Sequence, residues 1–145
     1  MSLLIESSLY AFGFYTALNA LIMLVLAILV VRARVVHKVG FGDGSGRPEM
    51  AGPMRAHGNN TEYVPMGLLL MWALATPLGG SIWLIHAVGV PLTIGRLLHA
   101  IGLSTSTGTT PFRFLGILMT WIAFIIGIVA VLWLIFVPQS APAPQ

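Results

Sequence analysis

The chain of 145 residues is 57% hydrophobic and only 8% charged, with a mean hydropathy of +0.94, which excludes a water-soluble globular domain. It contains no cysteine, which excludes disulfide bonds, thiolate metal sites and a cysteine nucleophile. Its net charge of +3 comes mostly from basic residues beside apolar segments, so we expect these charges to set membrane topology rather than to bind nucleic acid.

Long apolar segments dominate the chain, and they cover about residues 9–31, 57–76, 81–103 and 112–137. Each is close to the roughly 20 residues that a helix needs to cross a bilayer. The segments lack two-residue alternation, and backbone groups in lipid have to be satisfied within helices or closed barrels. The sequence therefore predicts an all-α membrane protein, a four-transmembrane-helix bundle in one domain of residues 1–137, followed by a disordered tail at 138–145.

The first predicted span is preceded by Glu6 and by no basic residue, which favours a retained span over a cleaved signal peptide. Basic residues concentrate in and beside the connection to the second span: Arg32, Arg34, Lys38, Arg47 and Arg55. The positive-inside rule then predicts that this connection faces the cytoplasm and that both termini lie on the opposite side, in the inner membrane if the protein is bacterial. Glycines and Pro48 indicate a flexible, irregular loop over about residues 36–53.

The start of the second span carries polar side chains. Arg55, Asn59 and Glu62 follow helical spacing, so they project from one face of a helix. Such groups are costly in lipid, usually face a bundle interior or a wet cavity, and indicate a functional site. The alternatives are a purely structural ion pair between Arg55 and Glu62 and a hydrogen bond from Asn59 to a neighbouring helix.

Alternating topology brings further polar residues to the same membrane face. Arg96 and His99 lie near the end of the third span, and Arg113 follows Thr110 and Pro111, which are typical of a helix start. Arginines and one carboxylate suit a ligand with several anionic groups and an ammonium, and the fourth helix start favours an anion such as a thiolate. We expect Arg96 to extend to the lipid head groups. His86, near the other face, is predicted to lie at the membrane interface.

Three segments carry a family resemblance: residues 55–65 (RAHGNNTEYVP), 95–99 (GRLLH) and 111–113 (PFR). In this order and spacing they resemble the membrane-associated proteins in eicosanoid and glutathione metabolism, the MAPEG family, and among them the small bacterial members. The resemblance implies a homotrimer of four-helix protomers that holds glutathione as co-substrate in a cleft between subunits, on the cytoplasmic side. It also implies transfer of glutathione to a lipophilic electrophile, or reduction of a peroxide, within membrane lipids.

The resemblance also assigns roles by position. It implies that Arg113 stabilises the glutathione thiolate and is the candidate catalytic residue. It implies glutathione contacts on the second and third spans, at Asn59, Glu62, Tyr63 and His99, with Arg55 as a ligand or as the partner of Glu62. Arg32, or alternatively Arg34, would reach a glutathione carboxylate from a neighbouring subunit. No metal site is expected.

Several positions depart from members of the family that act on eicosanoids. Leu103, Phe114 and Ile117 stand where those members carry hydroxyl groups, and Gly58 stands where some carry a second arginine. We therefore do not infer eicosanoid synthesis. Two other functions remain open: a non-catalytic lipid-binding or scaffold protein of the same fold, and a small proton- or ion-coupled transporter in which Glu62 titrates.

Overall fold

A computed structural model describes residues 2–42, 47–105 and 108–137, and these residues form four α-helices. In chain order the helices are α1 (Ser2–His37), α2 (Pro48–Ala75), α3 (Ile82–Thr105) and α4 (Pro111–Phe136). Within these described residues there is no β-strand. The predicted all-α four-helix bundle is therefore confirmed, whereas the predicted disordered tail at 138–145 lies outside the described residues.

Three of the helices are long and apolar enough to cross a membrane: Ser7–His37 of α1, Ile82–Thr105 and Pro111–Phe136. Helix α2 has 28 residues, so it is about 42 Å long and also exceeds the hydrocarbon core. It is less apolar than the others because its first half carries Arg55, Asn59 and Glu62. The polar part of α2 consequently has to face the bundle interior or a water-filled cavity rather than lipid.

Glycines bring α3 and α4 into close contact. A Cβ atom added to Gly95 would lie 2.8 Å from the carbonyl oxygen of Gly116, and one added to Gly116 would lie 2.5 Å from the backbone nitrogen of His99. No side chain fits between two backbones at such distances. These glycines therefore hold the helices close together, as small residues commonly do in membrane bundles.

The helix connections divide the bundle into two chemically different ends. At one end α1 and α3 finish and α2 and α4 begin, and we call this the basic end because it carries Arg32, Arg34, Lys38 and Arg47. A small apolar cluster of Leu26, Ala56 and Ala100 ties α1, α2 and α3 together in this half of the bundle. The larger core, which includes Met71, Leu74 and Ile85, fills the other half.

The predicted irregular loop at residues 36–53 is wrong for its last third, residues 48–53, because α2 already begins at Pro48. Proline suits the first turn of a helix, and Glu49 in that turn interacts favourably with the helix dipole. Met50 is fully buried, and a Cβ on Gly52 would lie 3.0 Å from the carbonyl oxygen of Leu103. Packing against the end of α3 thus stabilises a helical segment whose composition indicates a loop.

Hydrogen bonds between α1 and α3 occupy the half of the bundle away from the basic end. The Tyr15 hydroxyl lies 2.8 Å from Nδ1 of His86, and Nδ2 of Asn19 donates to Oγ1 of Thr93 at 2.9 Å. His86 is the fifth residue of α3, at the end of the bundle away from the basic end, and its place at the membrane interface stays a prediction. Its imidazole is half-buried and paired with Tyr15, which satisfies both polar groups inside the bundle.

Candidate functional site

A cavity of about 560 Å³ opens at the basic end, between α2 and the adjoining ends of α3 and α4. This volume lies within the usual range for small-molecule sites. The wall consists of residues from these three helices: Ala51, Gly52, Met54, Arg55, Gly58, Asn59, Glu62, His99, Leu103 and Arg113. The cavity thus collects polar residues from three separate parts of the chain.

Helix α2 supplies most of the wall. Arg55, Asn59 and Glu62 lie on one face at helical spacing, and all three line the cavity. Arg55 and Glu62 are exposed and Asn59 is half-buried, so a cation, a carboxylate and an amide are available to one ligand. Because α2 begins at Pro48, the same face continues toward the helix start through Met54 and Ala51.

The α3 and α4 side of the cavity is built around Arg113. The hydroxyl oxygen of Thr110 accepts a hydrogen bond from the Arg113 backbone nitrogen at 3.2 Å, which confirms the predicted cap of α4. The Arg113 carbonyl oxygen lies 3.1 Å from Nδ1 of His99 on α3. Nη1 of Arg113 donates to the carbonyl oxygen of Gly108 at 2.6 Å. The guanidinium is thereby held at the basic end, next to the first turn of α4, where an anion is favoured.

Arg96 does not extend to the head groups as predicted. Its side chain is only 1% exposed, and Nη1 donates to Oδ1 of Asn59 at 2.8 Å and to the Asn59 carbonyl oxygen at 3.2 Å. The centre of the guanidinium lies 5.1 Å from the centre of the Tyr63 ring, a cation–π contact. Within the described part of the chain, Nε and Nη2 of Arg96 have no hydrogen-bond partner. The amide and the ring explain why this cation lies inside the bundle.

Tyr63 and Arg32 are the two predicted ligand residues that do not line this cavity. The Tyr63 ring packs against Arg96 and lies edge-on to Phe124, with 6.0 Å between ring centres. Arg32 is exposed on α1, whereas Nη2 of the neighbouring Arg34 donates to the Gly42 carbonyl oxygen at 2.9 Å. The roles assigned to Tyr63 and Arg32 stay predictions, and the role of Arg32 concerns the site of a neighbouring subunit.

Sequence reasoning missed the apolar part of the wall, which Ala51, Met54 and Leu103 form. The spacing indicates that this helical face continues toward the start of α2, since Ala51, Met54 and Gly58 fall three to four residues apart on the side that carries Glu62. A loop was predicted up to residue 53, so Ala51 was not placed on the helix. Among the described residues, His, Asp and Glu side chains do not form groups of three or more that could hold a metal ion.

The sequence matches the MAPEG family over residues 12–133. It is 34% identical, over 119 residues, to the inner membrane protein YecN of Escherichia coli K12 and equally to that of E. coli O6:H1. These alignments cover 82% of this chain and 88% of each relative. Together with the membrane-crossing helices, they identify an integral membrane protein.

Proposed function

Because the chain belongs to the MAPEG family, we propose that it is a membrane-embedded, glutathione-dependent transferase or peroxidase that acts on lipophilic electrophiles. The observation that carries the proposal is the cavity, in which Arg55, Asn59, Glu62, His99 and Arg113 converge from three helices. Glutathione has two carboxylates, one ammonium, two amides and a thiol. Arg55 suits one carboxylate, Glu62 the ammonium, Asn59 an amide and Arg113 the thiol, whereas the second carboxylate is assigned to Arg32 of a neighbouring subunit.

The charged ends of glutathione are matched by the α2 wall. Arginine binds carboxylates through two parallel hydrogen bonds, so Arg55 suits a glutathione carboxylate. The Glu62 carboxylate can accept hydrogen bonds from the glutathione ammonium. Asn59 is polarised by the buried Arg96, because Nη1 of Arg96 already donates to the Asn59 amide oxygen. Asn59 therefore presents its amide NH₂ group to the cavity as a donor. These residues bind and orient the ligand.

Arg113 is the residue that we expect to activate the ligand. When bound, glutathione supplies a thiol whose thiolate form is the nucleophile. A free thiol has a pKa of about 8.5, and each unit by which a site lowers it corresponds to about 1.36 kcal/mol of preference for the thiolate. The Arg113 guanidinium and the start of α4 both favour an anion at this place. No metal is needed for that stabilisation.

The proposal includes a homotrimer in the inner membrane, with the basic end in the cytoplasm. Helices α1 and α4 expose large apolar side chains along their length, such as Phe14, Leu24, Ile125 and Val129, and these can be covered by neighbouring subunits as well as by lipid. In this assembly Arg32 would complete the site of the next subunit. The relatives named above are inner membrane proteins, and the basic connection supports the orientation.

A second candidate function is lipid binding without catalysis. Two open apolar grooves favour it, one of about 540 Å³ beside Phe12, Leu68 and Trp72, and one of about 370 Å³ beside Ile125 and Trp133. Residues at Leu103, Phe114 and Ile117 also lack the hydroxyl groups that related enzymes carry. This candidate predicts lipid that co-purifies with the protein and no turnover of aryl halides or hydroperoxides.

Direct binding separates the two candidates. Purified protein in detergent should bind glutathione in a calorimetric titration, and bound glutathione should show the ultraviolet absorbance of a thiolate. Absence of binding at millimolar glutathione would contradict the proposed enzyme. Binding together with turnover of an aryl halide would exclude the purely lipid-binding function.

A further inference from the structure

His99 is the one ionisable side chain of the cavity wall that is not matched to a group of glutathione. Arg55, Glu62 and Arg113 suit a carboxylate, the ammonium and the thiol, whereas half-buried His99 lines the same cavity from α3. Histidine is the side chain that most often takes up and releases a proton in enzymes. The contacts of the ring decide which of its two nitrogens is able to do so here.

A hydrogen bond to α4 fixes the tautomer of His99. Nδ1 of the ring lies 3.1 Å from the carbonyl oxygen of Arg113. A carbonyl oxygen only accepts hydrogen bonds, so Nδ1 must carry the hydrogen. In the neutral imidazole the other nitrogen, Nε2, then has a lone pair that accepts a proton. Because His99 lines the cavity, Nε2 is the nitrogen that is available to a ligand there.

Close packing of α3 on α4 sets the position of the imidazole. A Cβ on Gly116 would lie 2.5 Å from the backbone nitrogen of His99 and 2.8 Å from its Cα. A Cβ on Gly102, three positions further along α3, would lie 2.7 Å from the backbone nitrogen of Arg113. The backbones that carry the imidazole and the guanidinium are therefore fixed relative to each other. Such preorganisation keeps both groups directed at one ligand.

The charges around His99 couple uptake of a proton to formation of an anion. Arg96 lies three positions earlier on α3, and Arg113 lies across from the ring on α4, so both guanidiniums repel an imidazolium. On α2, Arg55 adds a further cation to the cavity wall and Glu62 adds one carboxylate. When the proton comes from a thiol, a thiolate forms at the same moment and attracts these cations. Proton transfer from sulfur is therefore compensated inside the cavity.

From these contacts we infer that His99 accepts the glutathione thiol proton at Nε2 and donates it to the leaving oxygen of a hydroperoxide. The inference rests on the proposed function and distinguishes its two reactions. In peroxide reduction the proton moves from sulfur to Nε2, the thiolate bonds to the outer peroxide oxygen, and the oxygen–oxygen bond breaks. Nε2 then gives its proton to the leaving alkoxide. The products are an alcohol and glutathione sulfenic acid, which a second glutathione converts to the disulfide and water.

Transfer of glutathione to an aryl chloride uses His99 differently. The thiol proton again passes to Nε2, the sulfur–carbon bond forms, the carbon–chlorine bond breaks, and chloride leaves without taking a proton. The imidazolium then loses its proton to a buffer base. His99 thus acts once in aryl transfer and twice in peroxide reduction. Loss of its ring should consequently slow peroxide reduction more than aryl transfer.

The test uses the full chain in detergent with glutathione, chlorodinitrobenzene and cumene hydroperoxide. In His99→Asn the amide can still donate to the Arg113 carbonyl oxygen, but it cannot take up a proton. The kcat/KM should fall about tenfold for the aryl chloride and about a hundredfold or more for the hydroperoxide, while the glutathione Kd changes by no more than about threefold. His57→Asn is the matched control, because His57 is also half-buried and does not line the cavity.

A second measurement follows thiolate formation alone. After rapid mixing with glutathione, the thiolate absorbance should rise at least about tenfold more slowly in His99→Asn and reach a similar final value, because Arg113 is unchanged. His99→Gln, which likewise cannot take up a proton, covers the case in which His99→Asn fails to fold. Equal losses for the two substrates, or an unchanged rate of thiolate formation, would overturn this inference alone. Failure of the wild-type protein to bind glutathione would overturn the proposed function and the inference with it.

Discussion

Nη1 of Arg96 on α3 donates a hydrogen bond of 2.8 Å to Oδ1 of Asn59 on α2. This contact joins a buried cation to the wall of the cavity, and it fixes both the orientation of the amide and the spacing of the two helices. Arg96 is therefore part of the internal support of the site, although its side chain does not line the cavity.

The first prediction contrasts two adjacent asparagines. Asn59→Leu should lower stability by about 2 kcal/mol, because it deprives the buried guanidinium of Arg96 of its amide partner. Asn60 is only 2% exposed, and its amide has no partner within the described part of the chain. Asn60→Leu should therefore be neutral or stabilising. Thermal unfolding of both variants in detergent measures the two changes in stability. Equal losses of stability in the two variants would show that Asn59 is not the partner that stabilises the buried Arg96.

The second prediction concerns Gly102 as a positioning residue. A Cβ at this place would lie 2.6 Å from Cγ of Arg113 and 2.7 Å from its backbone nitrogen. Gly102→Ala should displace Arg113 and reduce kcat for glutathione transfer about ten- to a hundredfold, with a smaller change in the glutathione Kd. Gly13→Ala is the control, since a Cβ there meets nothing within 4 Å. Full activity of Gly102→Ala would show that the placement of Arg113 does not depend on a glycine at position 102.

The third prediction separates binding from activation at Arg113. Arg113→Ala should abolish the thiolate absorbance of bound glutathione at neutral pH, because the thiol loses its cationic partner. Binding itself should weaken by no more than about tenfold, since the α2 wall is unchanged. Arg113→Lys should retain part of the absorbance. A thiolate signal that survives Arg113→Ala would exclude Arg113 as the activating residue.

The fourth prediction concerns the half of the bundle away from the basic end, which we expect to contribute to stability and not to glutathione binding. Tyr15→Phe removes the hydrogen bond to His86 and should cost about 1 kcal/mol of stability. Glutathione affinity should not change, because this pair does not line the cavity. Tyr10→Phe provides the control, since Tyr10 is 78% exposed. A change in affinity with Tyr15→Phe would show that the two halves are coupled.

The helices could be predicted from sequence because each apolar segment is long enough to cross a membrane. The start of α2 could not, because the residues from Pro48 to Gly52 have a loop-like composition and gain their helix from contact with Leu103. Local composition does not reveal such a contact between distant parts of the chain. The predicted loop extended too far, to residue 53 instead of residue 47, for that reason.

The polar wall of α2 followed from the spacing of Arg55, Asn59 and Glu62, and the structure brings these residues together with His99 and Arg113. The burial of Arg96 could not be predicted, since an arginine near a helix end reaches the head groups by default. Only the approach of Asn59 and Tyr63 provides it with partners inside the bundle. The pair of Tyr15 and His86 is likewise a contact between helices that sequence spacing does not encode.

Binding of glutathione by the α2 wall of the cavity can be measured in a calorimetric titration of the wild-type protein and of Glu62→Gln. Glu62 is exposed in the cavity, so the substitution keeps the shape of the wall and removes only the charge that would accept the glutathione ammonium. We expect binding by the wild-type protein and an affinity about tenfold or more lower in Glu62→Gln. Equal affinities in the two proteins, or no heat of binding at millimolar glutathione, would show that the α2 wall does not bind glutathione.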